Sequence, residues 1–109
     1  MNDQTPLVGI VMGSKSDWDV MKNATDMLTQ LDIPFEAHAL SAHRNPAQVH
    51  EWASSAEARG VKVIIAAAGM ATALRGVVAA VTQLPVLGVP METRVMGGMD
   101  SLLSMAQMP

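Results

Sequence analysis

The chain has 109 residues, half of them hydrophobic and 16% charged, with a formal net charge of −3. That is enough apolar material for one core and one domain, too ordered a composition for a disordered chain, and the wrong sign for wrapping nucleic acid by phosphate neutralisation. The absence of cysteine excludes disulfides, thiolate metal sites and a thiol nucleophile. No basic run marks a membrane surface, and no apolar run approaches the ~20 residues of a bilayer span. The polar opening, residues 1–6, lacks the basic-then-apolar order of a secretion signal, so a cytoplasmic location is expected.

In chain order, residues 7–12 (LVGIVM) form a nearly continuous apolar run, the pattern of a strand covered on both faces. After the polar turn Gly13-Ser14-Lys15-Ser16-Asp17, the residues Trp18, Met21, Ala24, Leu28 and Leu31 recur at helical spacing and predict a helix over 18–31. Residues 35–40 (FEAHAL) predict a second strand, followed by Ser41-Ala42-His43-Arg44. Asn45-Pro46 then marks a helix start, with Asn as N-cap and Pro at the first helical position. Val49, Trp52, Ala53 and Ala56 supply the apolar stripe of a helix over 46–59, which Gly60 closes. A third strand over 63–68 (VIIAAA), an Ala- and Val-rich helix over 71–81 and a fourth strand over 86–89 complete the pattern before Pro90 and a last polar–apolar stretch. With two Trp, one Phe and ten Met, the core is expected to be methionine-rich. Alternation of strand and helix at this spacing implies parallel strands, right-handed crossovers and a three-layer α/β/α sandwich.

Ligands of open α/β sheets bind outside the carboxyl ends of the strands, so the turns that follow each strand carry the candidate chemistry. In the first turn, the Ser14 and Ser16 hydroxyls and the N–H groups of an opening helix suit an anion such as phosphate. Asp17 suits a ribose diol. The same residues read equally well as helix caps. In the second turn, Arg44 is a fork-shaped phosphate donor and His43 exchanges protons near neutral pH, the alternative being an ordinary capped surface turn. In the third, Gly69-Met70-Ala71-Thr72-Ala73-Leu74-Arg75-Gly76 offers backbone N–H groups to a carboxylate or phosphate, or simply lets a helix pack closely on the sheet. His38, inside the second strand, is expected to be a satisfied structural histidine, and His50, off its helix's apolar stripe, to be solvated. No histidine pair has metalloprotease spacing, so no metal is expected. None of the serines stands in a nucleophile elbow.

Taken together, Val11-Met12-Gly13-Ser14-Lys15-Ser16-Asp17-Trp18, Leu40-Ser41-Ala42-His43-Arg44, Pro85-Val86-Leu87-Gly88-Val89-Pro90, and Asp100-Ser101-Leu102-Leu103-Ser104 with Gln107-Met108-Pro109 resemble the signature blocks of one family. From about Leu7 to the end, in order and spacing, the chain is similar to the PurE family, the N5-carboxyaminoimidazole ribonucleotide mutases of purine biosynthesis. The resemblance implies a flavodoxin-like sandwich and a homo-oligomer, usually an octamer. It implies a reaction without metal, ATP or other cofactor, in which a carboxylate moves from the exocyclic nitrogen of a ribonucleotide substrate to the adjacent ring carbon. Decarboxylation, trapping of CO₂ in a dry pocket and recarboxylation on carbon are the usual steps. By motif position His43 is the acid/base for the ring proton. Ser14, Ser16, Ser41 and Arg44 hold phosphate or other polar groups of the substrate, and Asp17 holds the ribose. The backbone of Ala68, Gly69, Met70 and Ala71 faces the migrating carboxylate, and Ala42 and Leu74 complete the substrate-binding positions.

The chain departs from the family pattern in two ways. The mutase third loop reads Gly-Gly-Ala-Ala-His-Leu-Pro-Gly, whereas here Ala73 stands at the histidine and Arg75 at the proline. The carboxylase class, which joins CO₂ to aminoimidazole ribonucleotide, has Asn-Ala-Leu-Ser-Gly there, closer to Ala73-Leu74. The final block and Ser41–Arg44 fit the mutase better, and the mutase is the expected activity. The carboxylase, or a non-catalytic nucleotide-phosphate-binding module of the same fold, is the alternative. The second departure is length: the family normally continues past Pro109, so residues 1–109 are expected to form a single PurE-like domain short of the family's C-terminal part.

Overall fold

A computed structural model of the chain describes residues 5–41, 44–68 and 74–91. Apolar, β-branched runs become the strands β1 (Val8–Met12), β2 (Phe35–Ala39), β3 (Val63–Ala68) and β4 (Val86–Pro90). The amphipathic segments between them become α1 (Trp18–Gln30), α2 (Pro46–Ser55) and α3 (Leu74–Val81), with a 3-10 turn at Lys15–Asp17 leading into α1. The sheet is four-stranded in the order β2-β1-β3-β4, and every pairing is parallel. From β1 the chain steps outward to β2, then returns across β1 to β3. The loop after β1 leads to α1 on one face of the sheet and the loop after β2 to α2 on the other, and both leave from the carboxyl edge, outside which open α/β sheets bind ligands.

Period-two alternation sends each strand's side chains into two separate cores. Val11, Ile64 and Ala66 meet Val49, Trp52, Ala53 and Ala56 of the α2 segment and Leu74 and Val78 of α3. On the opposite face Ile10, Met12 and Ala67 meet Met21 of α1, with Met91 closing the cluster. Helix, sheet and helix thus make three layers, the flavodoxin-like α/β architecture. Of the methionines among the described residues, Met12, Met21 and Met91 are buried, whereas Met27 faces outward. Trp52 fills the space between α2 and the sheet because Gly9 has no side chain: a Cβ there would come within 2.9 Å of the indole Cζ2. The Arg59 guanidinium lies 5.8 Å from the indole centroid, and the His38 ring meets it edge-on at the same distance.

Asn45 caps α2 as its sequence signal indicates: its Oδ1 accepts from the Gln48 N–H at 3.3 Å, and Pro46 occupies the first helical turn. The regular helix ends at Ser55, short of the expected Arg59. Residues 56–60 stay helical in direction but tighten into three-residue bonds, Arg59 N–H to the Ala56 carbonyl and Gly60 N–H to the Glu57 carbonyl. Val61 N–H then returns to the Ala56 carbonyl, which completes a Schellman closure around Gly60 at φ +98°. The end of α1 repeats that closure with Asp32 at φ 60°, through Asp32 N–H to Thr29 and Ile33 N–H to Leu28. His38 lies in β2 as expected, but on an edge strand and half-exposed, with a long 3.4 Å contact to Glu36.

Candidate functional site

Four strand ends, Met12, Ala39, Ala68 and Pro90, define the carboxyl rim of the sheet. The ladder continues one residue beyond, with Gly13 N–H donating to the Ala67 carbonyl at 3.0 Å and Leu40 N–H to the Met12 carbonyl at 2.7 Å. The second of these bonds holds the first two loops side by side. Between them opens a cleft of about 680 Å³, lined by Gly13, Ser14, Lys15, Ala39, Leu40, Ser41, Arg44, Asn45 and Gln48.

The loops hold their polar groups by short local bonds. Ser14 caps the 3-10 turn, its Oγ accepting from the Ser16 N–H at 3.2 Å and lying 2.9 Å from the Ser16 Oγ. Ser41 Oγ accepts from the Arg44 N–H at 3.1 Å while the Ser41 carbonyl accepts from the Asn45 N–H, so the second loop turns sharply into α2. Asn45 Nδ2 donates to Gln48 Oε1 at 2.9 Å, which steadies the cleft's far wall. Asp17 sits at the N-cap of α1 without a side-chain cap bond. Burial pushes its carboxyl above the usual range, partly offset by the Ser14 backbone N–H. Among the described residues neither Lys15 nor Arg44 has an ion-pair partner, and no carboxylate lines the cleft. A chain of net charge −3 thus keeps a locally cationic cleft, which favours an anionic ligand.

Of the residues named from the sequence, Ser14, Ser41 and Arg44 line this one cleft. Ser16 stands behind Ser14 as its hydrogen-bond partner, and Asp17 is half-buried beside it. Neither is part of the cleft's lining. Ala68 ends β3, paired with Pro90 of β4. The side chain of Leu74 does not face the cleft: it is 2% exposed and packs in the core between α2, α3 and the sheet. Its place in an apolar stripe with Val78, one helical turn on, is the physical reason. His43, Ala42, Gly69, Met70 and Ala71 lie outside the described residues, as do Ala73 and the Asp100–Pro109 block. Reading the sequence passed over Lys15, Asn45 and Gln48 as lining groups. Lys15 sits in a turn, where a lysine reads as solvated, Asn45 reads as the cap of α2, and nothing in the sequence marks Gln48. The one signal for Asn45 was adjacency to the Ser41–Arg44 turn.

Fold and cleft together define a flavodoxin-like α/β protein with a cationic cleft at its carboxyl rim. The chain belongs to the AIR carboxylase family, the PurE family, whose model matches residues 7–109. It is 56% identical over 104 residues to the N5-carboxyaminoimidazole ribonucleotide mutase of Bacillus subtilis, covering 95% of this chain and 64% of that protein. It is 50% identical over 109 residues to the mutase of Pyrococcus horikoshii, covering 100% of this chain and 62% of the other. The crystal structure of Treponema denticola PurE superposes with a TM-score of 0.85 at 28% identity, over 95% of this chain and 66% of that one. The chain thus spans less than two thirds of the length of these relatives.

Proposed function

We propose that this chain acts in purine biosynthesis as an N5-carboxyaminoimidazole ribonucleotide mutase, an isomerase that forms 4-carboxyaminoimidazole ribonucleotide. One observation carries the reading: Ser14 and Lys15 from the loop after β1, and Ser41 and Arg44 from the loop after β2, line a single cleft large enough for a ribonucleotide. The likeness to relatives that bear the mutase name supports the same activity. In this reading Arg44 grips the phosphate with its planar fork, Ser14 and Ser41 donate to phosphate or sugar oxygens, and Asp17 takes the ribose hydroxyls. His43 moves the ring proton. The bond between the exocyclic nitrogen and its carboxylate carbon breaks to leave CO₂, the ring carbon forms the new C–C bond, and the proton displaced from that carbon passes through the His43 side chain to the exocyclic nitrogen. The chain acts in the cytoplasm as a homo-oligomer, of the octameric type implied by the family resemblance. Exposed apolar side chains, including Val20 and Met27 on α1, Leu31 at its C-cap and Leu87 on β4, support association.

The test is turnover of the carboxyamino ribonucleotide by the purified chain without ATP or added bicarbonate, followed by product formation. His43→Asn is expected to abolish turnover and leave ribonucleotide binding intact. Normal turnover by that variant removes His43 from its role. Ala73 at the mutase histidine favours one second reading, a carboxylase. Product formed only from aminoimidazole ribonucleotide and bicarbonate decides for it.

A further inference from the structure

We infer that Lys15 is a specificity residue of the cleft, a mobile point charge that draws in phosphorylated sugars and discriminates them from their dephosphorylated counterparts. The inference rests on the ribonucleotide-phosphate reading of the cleft. Lys15 stands between two hollows. It lines the polar cleft with Ser14, Ser41 and Arg44, and it also lines an apolar hollow of about 400 Å³ formed with Met12, Trp18, Ala37 and Ala39. An amphipathic lysine suits that boundary, with its methylene stem against apolar wall and its ammonium at the cleft. Its charge is uncommitted: among the described residues it has no ion pair, in contrast to Arg59, whose guanidinium is held by Glu36 at 2.7 Å. Nothing in the described lining neutralises it, because the cleft carries Lys15 and Arg44 and no carboxylate.

The two cations differ in what they do. Arg44 leaves a loop pinned by its own N–H to Ser41 Oγ, and its fork geometry fits a fixed oxygen pair. Lys15 is exposed on a three-residue turn, and its compact ammonium attracts at a distance without demanding one geometry. A phosphate monoester carries close to two negative charges at neutral pH. A second cation at the mouth therefore separates it from the neutral sugar more sharply than Arg44 alone, and speeds its capture at low salt.

The test titrates the full chain with ribose 5-phosphate and with ribose, at low and high ionic strength, for the unaltered protein, Lys15→Gln, Lys15→Arg and the control Lys22→Gln on the exposed side of α1. Lys15→Gln is expected to weaken ribose 5-phosphate about five- to tenfold at ~20 mM salt and about twofold at ~0.5 M, as screening shortens the reach of the ammonium. Ribose binding stays unchanged, Lys15→Arg retains most of the affinity, and Lys22→Gln, with the same loss of net charge, leaves both unchanged. Equal affinity and equal salt dependence in Lys15→Gln and the unaltered chain overturn the inference, even where the carboxyamino ribonucleotide is turned over. Lys15-dependent binding without any turnover upholds the inference and overturns the proposed activity. Failure of the unaltered chain both to bind ribose 5-phosphate and to turn over the ribonucleotide overturns both.

Discussion

The two ends of the sheet use polar residues in opposite ways. At the amino end of the strands, one cluster of polar groups, around Glu36 and Arg59, is consumed within itself. Glu36 Oε1 accepts from Arg59 at 2.7 Å, Arg59 also reaches the Ser55 hydroxyl and the Trp52 carbonyl at 3.3 Å, and Gly60 and Asp32 close two helices. At the carboxyl end, Lys15 and Arg44 keep their charges unpaired among the described residues, and the serine hydroxyls keep hydrogen-bonding capacity after their local bonds. An ion pair that satisfies itself stabilises the fold and has little left for a ligand. A cation held ready at a cleft contributes little to stability and is available to an anion. The difference predicts that substitutions at one end will be read in activity and at the other in stability.

The largest effect that sharpens this contrast is expected from Arg44→Ala. Loss of a charge-assisted, forked contact costs about 3–4 kcal/mol, or roughly 10²–10³-fold in kcat/KM for the ribonucleotide. Its unfolding free energy should stay within about 0.5 kcal/mol of the parent, as for an exposed residue without packed partners. A large loss of stability in denaturant titration would break the contrast. Next comes Gly9→Ala, away from the cleft. The new Cβ meets the Trp52 ring at 2.9–3.0 Å, and because Trp52 is a buried ring on α2 rather than the end of a flexible chain, either the helix or the strand must shift. About 1–3 kcal/mol of destabilisation is expected by chemical denaturation, with ligand affinity of the folded fraction nearly unchanged.

The smallest effect is expected from Glu36→Gln. Burial works to raise the Glu36 carboxyl, but the hydrogen bonds and charges of Arg59 and His38 together outweigh it, so the carboxyl titrates below its usual value of 4.5. A depressed carboxylate favours the folded state above the unfolded-state value, and the benefit is lost as pH falls through the lower folded value. Glu36→Gln should therefore cost about 0.2–1 kcal/mol at pH 7, the range of a partly exposed pair, and nearly nothing in acid well below pH 4.5. Stability measured at both pH values checks it. A Glu36→Gln penalty that persists at low pH would assign the loss to packing instead.

Local chemistry made much of this protein legible before its fold was known. The near-continuous apolar runs marked β1 and β3 because a strand covered on both faces has no polar alternation to lose. Asn45-Pro46 and Gly60 marked the two ends of the α2 segment, since each supplies a backbone need that other residues meet poorly. The serine- and arginine-bearing turns were visible as candidate ligand loops because they follow strand ends. Less legible were the residues whose role depends on neighbours distant in sequence. Leu74 sits in a motif-like loop segment, yet its helical phase with Val78 turns its side chain into the core. Lys15 became part of the cleft only once β2 was laid beside β1, which brought Ser41 and Arg44 opposite it. Glu36 and Arg59, twenty-three positions apart, carry no pairing signal in the chain itself.

Patterning along the chain was sufficient for the kinds of element and the places where they stop, because hydrophobic period, proline, asparagine and glycine act over one or two turns of backbone. Strand order, the facing of the first two loops and the choice of which charges pair came from packing. Those features depend on which element lies next to which, a relation between residues tens of positions apart. At this sheet the parallel register of β2 on β1 turned two ordinary capped turns into the opposite walls of one cationic cleft.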